Sequence, residues 1–95
     1  MAGYRIDREL EDFGEHVRGW RMVLGLTAQQ VAERASITRT TLRKIETGDP
    51  TVSFGSVAQV LRALGVLEQS VEAIDPLRSD IGRLRAGKLG RRRAR

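Results

Sequence analysis

The chain has 95 residues, 40% apolar and 31% charged, an ordinary soluble composition sized for one domain, with no material for a second packed core. It has no cysteine and one histidine, which excludes disulfide staples, a thiolate zinc site and a cysteine nucleophile and leaves little for acid–base chemistry. Residues 1–75 hold nine Lys/Arg and eleven Asp/Glu (−2) and residues 76–95 hold eight Lys/Arg and one acid (+7), so the net charge of +5 belongs to the C-terminal end.

In chain order, Leu10, Phe13, Val17, Trp20 and Leu24 recur at helical spacing and Gly25 follows as a stop, which predicts a first helix over about 8–24. Thr27-Ala28-Gln29-Gln30 fits a capping box opening a second, short helix with Val31, Ala32 and Ala35 inward. After a break at Ser36-Ile37, Thr38 is a good N-cap for a third helix, with Leu42 and Ile45 inward and Gly48-Asp49-Pro50 as its end. Ser53 caps a fourth, whose inward positions are Phe54, Val57, Val60, Leu61 and Leu64, stopped by Gly65. A fifth, over about 67–74, offers Leu67, Val71 and Ile74. Asp75-Pro76 reads as N-cap plus first-turn proline, opening a sixth piece with Leu77, Ile81 and Leu84 on one stripe. Gly87 and Gly90 are expected to dissolve the helical pattern.

No alternating stretch reads as a strand and no internal repeat is visible, so the expected class is all-α. No apolar run approaches the roughly 20 residues that cross a bilayer, and MAGYRIDREL lacks a signal core. Neither a membrane, a metal nor a cofactor is expected, and the expected location is the cytoplasm. The domain plan is an arm over 1–8, a helical domain over 9–75, an extension over 76–87 with a possible dimer contact, and a disordered basic tail over 88–95.

Two short helices at 27–34 and 38–46, joined by a tight turn inside a small helical domain, have helix-turn-helix spacing; in that motif the second helix places its N-terminal residues at base edges in the major groove. Its outward residues here are Arg39, Thr40, Arg43 and Lys44, all hydrogen-bond donors and none acidic. Arginine can read guanine with two hydrogen bonds, and threonine can bond a base or meet a thymine methyl. An Arg/Lys/Thr face is also what any solvated helix can show, and composition alone does not separate the two.

The run LGLTAQQVAERASITRTTLRKIETGDP resembles the helix-turn-helix of the Cro/repressor (XRE-type) family, within a phage-repressor-like five-helix domain covering about residues 10–75. Its most specific part is Gly25-Leu26-Thr27, Val31-Ala32, Ile37-Thr38, Leu42, Ile45-Glu46 and Gly48. The resemblance implies that Arg39, Thr40 and Lys44 read bases. Thr41 and Arg43 would reach phosphate or flanking bases, with Thr38 a further phosphate candidate. Thr51 to Ser53 would approach backbone phosphate, aided by the positive end of the next helix. Arg21 and Glu46 would form an internal ion pair bracing the first helix against the third, so Arg21 is not counted as a DNA contact.

Two positions depart from the family pattern. The first residue of the second helix, often Gln, is Ala28, with Gln29 the possible replacement for its phosphate contact. The turn position usually held by Gly is Ser36, at about 1 kcal/mol if the backbone is left-handed there.

Several other residues have bland explanations. Trp20 lies on the apolar stripe, as a core or interface residue. His16 beside it is a surface or half-buried structural histidine. Glu11, Asp12 and Glu15 sit on the polar side of an amphipathic helix and have no catalytic companions. Gly14 and Gly19 can permit close helix packing.

The expected function is a sequence-specific double-stranded-DNA-binding regulator, a homodimeric repressor on a two-fold-symmetric operator. The alternative, an antitoxin, rests on a short resemblance of DPLRSDIGRLRAGKLGRRRAR to the extensions of HipB-type proteins, which bind a HipA-like kinase toxin and repress their own operon. Lys88, Arg91, Arg92, Arg93 and Arg95 would then serve non-specific DNA attraction or a protein partner.

Overall fold

The computed structural model describes residues 5–93, and within them every regular element is a helix. The order is α1 (Asp7–Val23), α2 (Ala28–Ala35), α3 (Arg39–Glu46), α4 (Phe54–Ala63), α5 (Leu67–Ala73), a 3₁₀ turn (Pro76–Arg78), α6 (Asp80–Leu84) and α7 (Ala86–Arg93). The fold is all-α, as the sequence leads one to expect.

The starts of α2, α3 and α4 follow from side-chain capping. Thr27 accepts from the Gln30 amide while the Gln30 side chain accepts from the Thr27 amide, a complete capping box. Thr38 and Ser53 accept from the amides of Thr41 and Ser56. The ends of α1 to α4 share one device: a left-handed residue after the helix lets the next amide bond back to a carbonyl of the last turn. That residue is glycine at Gly25, Gly48 and Gly65, but Ser36 after α2, at φ 58° and ψ 42°. There the Ile37 amide reaches the Ala32 carbonyl, and half-buried Ile37 packs on the core.

The core joins Val17 of α1, Val31, Ala32 and Ala35 of α2, Leu42 and Ile45 of α3, Val60 and Leu64 at α4, and Val66. Arg62 of α4 adds a contact that the sequence pattern does not announce. Its guanidinium donates to the Arg34 carbonyl at 2.7 Å and so caps the C-terminal end of α2 with a cation.

Burial corrects several inward assignments. Phe13, Trp20 and Leu24 on the α1 stripe are 38–45% exposed, and Val71, Ile74 and Phe54 are more open still, Phe54 at 84%. Phe54 is the first residue of α4 and lies at the margin of the stripe formed by Val57, Val60, Leu61 and Leu64. It therefore stands at the rim of an apolar hollow with Leu10, Phe13 and Val52.

The C-terminal segment also departs from expectation. Leu77 does not share a helix with Ile81 and Leu84, because Ser79 is extended (φ −113°, ψ 155°) and caps α6 through the Gly82 amide. Asp75 does cap as expected, accepting from the Leu77 amide. A Cβ on Gly82 would overlap the Pro76 carbonyl, so the turn and α6 pack tightly on each other. Helix persists through Gly87 and Gly90 as α7, where the pattern was expected to dissolve, since each isolated glycine weakens a helix by only about 1 kcal/mol. Residues 1–4 of the arm, the side chains of Arg91, Arg92 and Arg93, and Arg95 lie outside the described residues.

Candidate nucleic-acid interface

The geometry of α2 and α3 is set by what holds α3 against α1. Gly14 is buried where α1 crosses the end of α3. A Cβ there would lie 2.5 Å from the Glu46 carbonyl oxygen and 2.6 Å from that of Ile45. Gly48, at φ 84°, presses its Cα against the backbone of Leu10 and Glu11. Two turns along α1 from Gly14, Arg21 completes the clamp. Its Nε donates to Glu46 Oε2 at 2.8 Å and a terminal nitrogen to Oε1 at 3.1 Å, a paired fork with both side chains largely covered. Arg21 also donates to the Leu26 carbonyl at 3.3 Å, which ties the same guanidinium to the turn before α2. The Glu46 hydrogen bond raises the Arg21 pKa above its ordinary value, and burial opposes that only in part.

Leu42 and Ile45 anchor α3 inward, which turns Arg39, Thr40, Arg43 and Lys44 to solvent. Arg39, Thr40 and Arg43 meet Arg21, Ala28 and Glu46 around one open hollow of about 310 Å³ between the α2 start and α3. Among the described residues, the side chains of Arg39, Thr40 and Arg43 make no hydrogen bond or ion pair within the chain. Lys44 lies close enough to Asp49 for its charge to help hold that carboxyl ionised.

The remaining site residues are engaged locally. Gln29, exposed on α2 one residue after Ala28, donates its side-chain amide to Glu33 at 2.8 Å. Thr38 donates its hydroxyl to Thr41, which is half-buried. Ser53 likewise donates to the Ser56 hydroxyl. Thr51 directs both its amide (2.8 Å) and its hydroxyl (2.7 Å) to Asp49, and these two bonds, the hydroxyl first, hold the Asp49 carboxyl below its ordinary pKa. The donors at Thr51 are thus already satisfied by an anion of the same chain. Asp49 stood in the sequence as a turn residue only; the signal for this role was its position two residues before a threonine, the spacing of an Asx turn.

A sequence profile described as a helix-turn-helix domain matches residues 12–74, more than half of the chain. The chain belongs to the helix-turn-helix domain family. The match runs from the middle of α1 to the end of α5 and leaves the 3₁₀ turn, α6 and α7 outside it. No curated protein matches the chain. Within the helix-turn-helix domain, α2 and α3 are the paired helices, the Ser36 turn joins them, and α3 is the helix that such domains lay in the major groove. DNA-binding regulation is the coarse function this membership supports. No helix among the described residues is long and apolar enough to cross a membrane.

Proposed function

We propose that the protein is a sequence-specific repressor that binds a two-fold-symmetric operator in double-stranded DNA as a homodimer. The observation that supports this reading most directly is the outward face of α3. Arg39, Thr40 and Arg43 are exposed, cationic or donor-bearing, and uncommitted to partners within the described chain. Side chains held in internal pairs would have to break them before reading a base; these do not. In this reading Arg39, Thr40 and Lys44 read base edges and Arg43 meets phosphate. Thr38, Thr41 and Ser53 offer hydroxyls to the backbone, Thr51 does so in competition with Asp49, and Gln29 does so on leaving Glu33.

The α1–α3 clamp gives the face its fixed bearing, because a helix that rocks on the core cannot keep two arginines in register with one groove. A dimer supplies the second half-site, since a single domain of this size offers limited contact area. The basic C-terminal segment adds a sequence-independent attraction. Its charge also supports a second reading, in which the same DNA-binding dimer is an antitoxin of the XRE-type, HipB-like kind that captures a kinase-like toxin from an adjacent gene.

The test is footprinting on the DNA upstream of the protein's own gene. Two protected half-sites related by a two-fold axis, about one helical turn apart, are the expected result. Equal affinity for that DNA and for random duplex would remove the sequence-specific reading.

A further inference from the structure

We propose that the C-terminal segment of one copy seats its exposed apolar side chains, Ile81 and Leu84 of α6 with Leu77 of the 3₁₀ turn before it, in the groove between α1, α4 and α5 of a second copy, so that two chains exchange arms. This rests on the dimer proposed above and names its interface.

The groove, of about 280 Å³, is lined by Phe13 and Trp20 of α1, Leu61 and Leu64 at α4, and Ala73 of α5. It shares no residue with the hollow on the α3 face. Phe13 and Trp20 are 38% and 43% exposed there, and a second hollow carries the surface on past Trp20 to Val23. The matching surface is the arm. Leu77, Ile81 and Leu84 are 46%, 61% and 82% exposed and find little cover on their own domain. Exposed large side chains clustered this densely on a small chain mark a contact surface rather than scattered apolar residues.

Charge fits the two together. The arm carries Arg78, Arg83, Arg85 and Lys88 against one acid, Asp80, which pairs with Arg83, while the elements around the groove present Asp12 and Glu15 on α1 and Glu68 and Glu72 on α5, all exposed. Glu15 lines the hollow that continues the groove past His16 and Trp20. Glu72 already draws Arg78 of its own chain to 3.3 Å, which shows the attraction operating at the root of the arm.

Geometry favours a second copy over the chain's own groove. The groove ends at Ala73, and only Ile74 separates it from the Asp75 turn. That turn is closed by two bonds, Leu77 amide to Asp75 Oδ1 at 2.9 Å and Arg78 amide to the Asp75 carbonyl at 3.0 Å. Reaching back into the chain's own groove would require undoing them. With the turn intact the arm projects, and the radius of gyration is 16.4 Å against about 12 Å for a compact chain of this length. Exchange between two copies makes the contact twice under one two-fold axis, the symmetry of the proposed operator.

The test uses the absence of native cysteine. Full-length Trp20→Cys and Ile81→Cys chains, mixed, are expected to form a cross-linked heterotypic dimer under a short bis-maleimide in excess of either alone. The double variant Ile81→Glu/Leu84→Glu alters only exposed positions, so its fold is kept. It is expected to weaken dimerisation at least tenfold in sedimentation, with its circular dichroism unchanged. A monomeric wild-type chain, a dimer indifferent to the Glu pair, or cross-linking only within single Trp20→Cys/Ile81→Cys chains overturns the proposal. So does a Glu pair that abolishes capture of an adjacent-gene protein and leaves the dimer intact. None of these readouts involves DNA, so loss of operator binding with intact cross-linking would refute the repressor reading alone.

Discussion

Gly14 and Glu46, 32 positions apart in the chain, meet backbone to backbone: a Cβ on Gly14 would lie 2.5 Å from the Glu46 carbonyl oxygen. Glu46 is thereby held at both ends, by α1 packing on its carbonyl and by Arg21 bonding its carboxylate. Gly14→Ala is expected to destabilise the domain by about 1–3 kcal/mol, the usual range for overpacking against groups that cannot yield. Gly19 on the same helix has open space around its missing Cβ. Gly19→Ala is expected to stabilise by roughly 0.5–1 kcal/mol through helix propensity. Opposite shifts of the two melting temperatures are the check.

Glu46→Ala leaves the largely covered Arg21 guanidinium without its fork partner, and a loss of about 3 kcal/mol is expected, near the lower end for breaking a covered pair. DNA binding should fall only as far as folding does. A variant with normal melting but impaired binding would contradict a bracing role. The raised Arg21 pKa contributes stability that is present below the ordinary arginine value and lost only as pH rises through the still higher folded one. Arg21 titration is therefore expected to add no slope to stability between pH 5 and 9, in an approximate window set by the reference value.

Ser36 holds a left-handed conformation that glycine holds without strain. Ser36→Gly is expected to raise stability by about 1 kcal/mol, with DNA affinity unchanged because the turn geometry is kept. A lower melting temperature would mean that the serine side chain stabilises the turn by more than its backbone strain.

Arg39→Ala is expected to lose about 1–3 kcal/mol of discrimination at one base pair, with weak effect on random duplex. Arg43→Ala should weaken all sequences alike and reduce the salt slope by about 1. Titrations of operator and random DNA at several salt concentrations separate the two; an unchanged slope for Arg43→Ala would remove its phosphate role.

Asp49 occupies the donors of Thr51, so Asp49→Ala frees them and removes a negative charge from the approach to α4. Affinity for any duplex is expected to rise several-fold at low salt. Because the Asp49 pKa is lowered, its contribution to stability is present above the ordinary carboxylate range and fades as pH falls through the depressed value. Thr51→Val, which removes the larger of the two causes, should move the Asp49 titration observed by NMR upward toward that ordinary range.

Most of the helix boundaries were legible because they are local. Thr27 with Gln30, Thr38 with Thr41, and the stops at Gly25, Gly48 and Gly65 depend on hydrogen bonds between residues at most five apart, and consecutive side chains settle those. The outward set on α3 followed the same way, once Leu42 and Ile45 marked its buried side. Periodicity states which residues share a face of a helix; it does not state whether anything covers that face. Only the tertiary structure could show Phe13, Trp20, Phe54 and Ile74 at the surface. The same holds for the bare Cα of Gly14 beneath Glu46 and for Arg62 across the end of α2, because each depends on where two distant backbones come to rest. Ser79 breaking the expected stripe before Ile81 belongs with the local signals, since its hydroxyl caps α6 through the amide of Gly82 three residues on, a bond that apolar periodicity does not register.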